Sequence, residues 1–160
     1  MALEMSSAGV RVAYCVETTA GTRPTSGYTL ISNIKSVPDL NPQPSQLDCT
    51  DLSDEQFKRY IPGLQDTSGS IAFSANNTNT FLTEWAGIVT AFETAHASNK
   101  SMWFEIRIPK MTNSFFFSGE PTPLGLGAIE VDQVLTIDAY ITPNKIVGWA
   151  TKSTTAGGST

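Results

Sequence analysis

The sequence predicts a mainly β protein of antiparallel strands with one helix packed on the sheet. Three observations predict it: several runs alternate apolar and polar residues with a period of two, one stretch alone repeats its apolar residues at helical spacing, and turn formers separate these segments. The 160 residues include 12 glycines and 9 prolines, and are 40% hydrophobic but only 16% charged, a mixture that favours sheet and turns over long helices. A chain of this length forms one domain able to bury a core without disulfides or metal.

Residues 10–16 (VRVAYCV) read as a first strand, preceded by a flexible small-residue arm over residues 1–9. After a Gly21-Thr22-Arg23-Pro24 turn, residues 28–37 are rich in β-branched side chains and read as one strand ending at Pro38. Residues 38–57 form a long loop with prolines at 38, 42 and 44, in which residues 47–51 are able to pair at a sheet edge. Leu40, Leu47, Leu52 and Phe57 give this loop apolar anchors, which favours a functional loop over a disordered one. Tyr60-Ile61-Pro62-Gly63-Leu64 reads as an aromatic-proline-glycine turn, leading through a polar link to a strand at 70–75 with Ile71, Phe73 and Ala75 on one face and small, mostly polar residues on the other.

Thr78-Asn79-Thr80 offers a cap for the single convincing helix, residues 80–97, in which Phe81, Trp85, Ile88 and Phe92 recur at i, i+4, i+7 and i+11 and form its core face. His96, the sole histidine, sits in the last turn, where a partial positive charge suits the helix dipole. Residues 101–108 alternate, with Met102, Phe104, Ile106 and Ile108 inward, and Phe115-Phe116-Phe117 continues the sheet. A final strand over 129–142 separates an aliphatic set from Glu130, Asp132 and Asp138, and the tail past Trp149 (domain limit 150, then 151–160) has the composition of a flexible end. The acidic stripe reads either as a solvated sheet face or as the lining of a channel along which a polyanion passes without sticking.

The net charge of −5 (10 Lys+Arg against 15 Asp+Glu) provides no basic footprint for stable nucleic-acid binding. Cys15 and Cys49 have neither a CxxC spacing nor a nearby histidine, so no zinc site or disulfide framework is signalled. No nucleophile with a base, carboxylate pair, metal cluster or phosphate loop is visible: catalytic residues, metal ligands and cofactors are all expected to be none. Gly125 and Gly127 lack the strand-to-helix context of a nucleotide loop, and the Asn76-Asn77-Thr78 sequon has no secretory signal beside it. The start also lacks a cationic segment and an apolar core, and no apolar run approaches a membrane span, which predicts synthesis in a cytoplasm.

The order of pieces, with Ile34-Lys35-Ser36-Val37-Pro38, Leu47-Asp48-Cys49-Thr50-Asp51-Leu52 and Tyr60-Ile61-Pro62-Gly63-Leu64-Gln65-Asp66 before a strand, one helix and closing strands, resembles the tail tube (major tail) proteins of long-tailed, non-contractile bacteriophages over residues 10–150. Cys49 stands where that pattern has a β-branched residue. The resemblance implies a β-sandwich or barrel with one flanking helix, a structural virion protein made in the bacterial host cytoplasm, and hexameric rings stacked into a hollow tube. It implies as partners further copies of the chain, the tape-measure protein inside the tube, and tail-tip and tail-terminator proteins, with DNA passing only transiently. Within it, Tyr60 and Leu64 join Leu47, Leu52 and Phe57 as inter-subunit residues, Glu130, Asp132 and Asp138 face the lumen, and the terminal arm and tail order on polymerisation. Two alternatives accompany this reading. One is the related tube protein of bacterial contractile injection or secretion systems. The other is a β-sandwich carbohydrate-binding module stacking sugars on Trp85, Trp103, Trp149 and Tyr140.

Overall fold

Alternation becomes layered structure first in β6 (Ile71–Asn76), where Ile71, Phe73 and Ala75 are buried and the residues between them are not. The computed structural model describes residues 4–66 and 69–154. Besides β6 its elements are β1 (Arg11–Val16), β2 (Thr29–Ile31), β3 (Ile34–Ser36), β4 (Pro44–Asp48), β5 (Tyr60–Gln65), α1 (Asn79–Ala97), β7 (Met102–Arg107), β8 (Asn113–Pro121) and β9 (Thr136–Thr151). Seven strands form one antiparallel sheet in the order β2-β1-β7-β8-β9-β6-β3, and β4 and β5 form a separate two-stranded sheet.

The order explains why residues 28–37 are not one strand. β2 pairs with β1 at one edge, and β3 pairs with β6 at the other, although only Ser32 and Asn33 separate them. The chain therefore turns from one edge of the sheet to the other and nearly closes it into a barrel, which limits exposed edges. Asn33 makes the corner with φ 63°, a conformation Asn adopts more readily than β-branched residues do. Glu84 of α1 accepts from both Ser32 N (3.1 Å) and Ser32 Oγ, while Asn33 Nδ2 donates to Thr78 Oγ1 at 3.2 Å, so the corner is tied to the helix start.

Thr78 caps α1 by accepting from Phe81 N at 3.1 Å. Phe81, Trp85, Ile88 and Val89 are buried in the barrel core, and Phe92 packs against it half-buried. In that core Phe117 stacks on Phe104 and on Phe73, with ring centroids 5.3 and 6.3 Å apart. At the other end of the helix, the His96 ring lies 5.6 Å from that of Phe92.

Further expectations need correction. The final strand starts at Thr136 rather than Ile129, because residues 123–134 ladder onto no strand; Gly127 passes so near the Thr136 carbonyl that a Cβ would come within 2.8 Å of it. At its other end the strand runs through Ala150 to Thr151, and Lys152–Thr154 is hydrogen-bonded into the body, so this part of the expected tail is docked. Residues 155–160, like residues 1–3 of the arm and 67–68 of the polar link, lie outside the described residues. The segment read as a Tyr60–Leu64 turn is strand β5, and the long loop contains β4.

β7 also differs from a one-sided strand. Met102, Phe104 and Ile106 enter the main core, yet Trp103 and Glu105 on the opposite face are equally buried. Trp103 belongs to a second cluster with Ala13, Tyr28 and Phe116. This outer face is covered because Glu17, at the end of β1, accepts from Trp103 Nε1 (2.8 Å), Gly21 N (2.9 Å) and Ser101 N (3.1 Å). Arg23 from the same connection lies 4.3 Å over the Phe116 ring.

Candidate assembly surface

The β4–β5 hairpin has its apolar side chains outside. Leu47 pairs with Ile61 and Asp48 with Tyr60, but a register irregularity falls between Pro44 and Gln46. Pro62 sits opposite Gln46, where a missing N–H is tolerated only because the strand lies at an edge. Gly63 is required by contact, since a Cβ there would collide with the Ser45 hydroxyl, which itself donates to the Leu64 carbonyl at 3.2 Å. A two-stranded hairpin with neither face buried has little independent stability in water.

The connection between the strands is held by charge. Arg59 Nε donates to Asp54 Oδ2 at 2.8 Å and Arg59 Nη2 to Asp51 Oδ2 at 2.9 Å, while Arg59 N donates to Thr50 Oγ1 at 2.8 Å. Asp54 Oδ2 accepts from Asp51 N, Asp51 Oδ1 accepts from Ser53 N and its hydroxyl, and Asp48 Oδ1 accepts from Thr50 N. These bonds hold all three carboxyls below the usual aspartate range: Thr50 for Asp48, Ser53 and then Arg59 for Asp51, and the Asp51 backbone N–H and then Arg59 for Asp54. The polar frame leaves Leu52 at 105% relative exposure and Phe57 at 81%.

All five residues expected in the assembly loop, Leu47, Leu52, Phe57, Tyr60 and Leu64, are therefore exposed on one projecting hairpin. Ile61, exposed alongside them, was missed because the segment read as a turn; its position two before Gly63 in an apolar run was the available signal. A second apolar surface was also missed. Leu126, Ile129, Val131 and Val134 are exposed in the connection before β9, although periodicity grouped Ile129 and Val131 with the aliphatic face of the expected final strand.

That connection separates the expected acidic stripe. Glu130 and Asp132 lie in it, Asp132 with φ 63°, and only Asp138 lies on β9. Asp138 shares the exposed β9 face with Tyr140 and Thr142, beside Ser74 and Ala72 of β6; Glu120 of β8 pairs with Thr142. The sheet thus assembles a small, mostly polar face with two carboxylates from different strands.

Of the four aromatics weighed for sugar stacking, Trp85 and Trp103 are buried, which removes both from any surface platform. Cys15 and Cys49 are free thiols, and burial pushes the Cys15 thiol up. Among the described residues, no group of three or more His, Cys, Asp and Glu side chains is placed to hold a metal, and no helix is long and apolar enough to cross a membrane.

The fold and surface define a class: a one-helix antiparallel β-barrel carrying a projecting apolar hairpin. A chain of the anti-feeding prophage baseplate shares this fold with a TM-score of 0.60, at 8% identity over 91% of this chain and 95% of that one. Chains of the phage p2 baseplate in its activated conformation, with strontium and with calcium, align with a TM-score of 0.44 at 13% identity, over 88% of this chain and 45% of theirs. No family model matches the sequence, and no curated protein does.

Proposed function

We propose that this protein is a non-catalytic structural subunit of a phage-type tail, which assembles through its β4–β5 hairpin into hexameric rings stacked as a hollow tube for DNA delivery. The observation that carries the reading is the hairpin itself: a hydrogen-bonded frame that spends its order on presenting Leu52 and Phe57 to solvent. Contiguous exposed apolar surface of this kind marks an interface. A hairpin on one side of a barrel suits a heterologous contact, the type that closes rings and extends filaments. The likeness to a baseplate chain described as sixfold symmetrised supports sixfold rings at the level of fold.

In this assembly the tape-measure protein occupies the lumen first and DNA later, with tail-tip and tail-terminator proteins at the ends. The face bearing Asp138 and Glu120 lines the lumen, where repeated negative charge lets a polyanion slide. The virion tail is then the protein's location.

The same neighbour favours a second reading, a ring subunit of a baseplate-type or contractile injection assembly that does not polymerise indefinitely. Negative-stain microscopy of purified protein at high concentration separates these. Tubes of uniform diameter and variable length support the tube subunit, isolated rings the second reading. A monodisperse monomer at every concentration, with tail-tip components added, overturns both.

A further inference from the structure

The covered face of β7 carries an ion pair between Glu105 and Arg107. Glu105 is wholly buried, and its Oε2 accepts from Ser153 N at 3.0 Å while Oε1 accepts from Ser153 Oγ at 2.6 Å and from Arg107 Nη1 at 2.9 Å. The same Arg107 nitrogen donates to the Ser153 carbonyl at 3.0 Å. One ion pair therefore binds the N–H, the carbonyl and the hydroxyl of a single residue past the end of β9.

We propose that the Glu105–Arg107 pair is a recognition clamp that docks the strap Lys152–Thr154 on the outer face of the barrel and fixes the position of Ser153 there. The clamp is independent of the tube reading. A buried ion pair gains little net stability, since desolvation of both charges offsets their attraction, and an apolar pair of similar volume serves a core as well. What it supplies is selectivity: any other placement of Ser153 leaves Glu105 without two of its three donors. Around the clamp the strap makes ordinary contacts. Lys152 Nζ donates to the Ile108 carbonyl, Thr154 N donates to the Thr25 carbonyl at 3.2 Å, and Gly27 N donates to the Thr154 carbonyl at 3.2 Å. The last two bonds join the strap to the β1–β2 connection and the first to the residue after β7, so the strap and the β1–β2 connection close over the Ala13–Glu105–Phe116 row together.

Hydrogen exchange on the full chain at neutral pH tests the clamp with two variants. In E105Q, which leaves Arg107 without its counter-charge, the Ser153 and Thr154 amides exchange on the order of tenfold faster or more, while the β6–β9 ladder keeps its protection. In E105M/R107M the barrel unfolds at the same or higher denaturant concentration, yet the strap amides again exchange quickly. Wild-type protection of Ser153 and Thr154 in the double variant overturns the proposal, as does loss of strap and ladder protection together in both variants.

Discussion

Trp85 donates its indole Nε1–H to the Thr122 carbonyl at 2.8 Å, fastening the middle of α1 to the residue that follows β8. The ring is 1% exposed and packs on Phe81 with centroids 5.9 Å apart. One side chain thus fills the core beneath the helix and satisfies a carbonyl where the sheet gives way to the long connection.

Replacing Trp85 by Ala is expected to destabilise the subunit by roughly 3–5 kcal/mol, as large aromatic truncations in a core do. Trp85→Phe, which retains much of the volume but orphans the Thr122 carbonyl, is expected to lose about 1–3 kcal/mol. Urea denaturation of the subunit measures both. A loss below about 1 kcal/mol for the alanine variant would contradict the buried position.

Leu52→Ser/Phe57→Ser is expected to leave unfolding within about 0.5 kcal/mol of wild type, because neither side chain is packed in the subunit. Assembly should suffer strongly, since apolar anchors at interface centres carry most of the binding energy. Sedimentation velocity combined with microscopy gives the comparison, and normal assembly by the double variant would count against the hairpin as the contact.

Lowering the pH should loosen the hairpin tip before the barrel. Asp51 and Asp54 have depressed folded values, so their contribution is present above the ordinary aspartate range and disappears as pH falls through the folded values. Both are at the surface, so the effect is local. Arg59→Ala should reproduce it at neutral pH, and exchange of the residue 50–59 amides is the readout; unchanged protection in that variant would remove the charge frame as the organiser.

Glu17 should make the covered face acid-sensitive. Burial pushes its carboxyl up, but the hydrogen bonds from Trp103, Ser101 and Gly21 together outweigh burial and hold it below the usual glutamate range. Its contribution is therefore full above the unfolded value and lost as pH falls through the folded one. Glu17→Gln, which exchanges a charge-assisted acceptor for a neutral one, is expected to destabilise by roughly 1–3 kcal/mol at neutral pH and to flatten the acid limb of the stability profile. Thermal melts at a series of pH values decide it, and an unchanged acid limb would exclude Glu17 as the responsible group.

If the β6–β9 face lines a tube as proposed, Asp138→Lys together with Glu120→Lys leaves tubes intact but slows DNA ejection, most severely at low salt where screening is weak. Glu130→Lys with Asp132→Lys, on the separate connection, serves as the comparison. Equal ejection by virions carrying either pair would rule out the β6–β9 face as the lining.

Local chemistry by itself determined the helix, a cap at Thr78-Asn79-Thr80, the inward faces of β6 and β7, and the apolar residues of the 38–57 loop, because period, capping and turn composition act within a few residues. Tertiary structure decided the rest. Residues 28–37 became two strands only because the sheet nearly closes and its two edges both need partners. The alternation over 129–134 joined no ladder, so its aliphatic residues are exposed and its carboxylates leave the strand face. Pro62 and Gly63 suggested a turn, yet an edge strand tolerates the lost N–H and the close Ser45 contact needs the missing Cβ. Glu105 carried no local sign of burial, since its partners Ser153 and Arg107 meet only when the chain end returns across the sheet. Pairing over long sequence separation depends on which edges remain free once the whole sheet has formed, and no window along the chain contains that information.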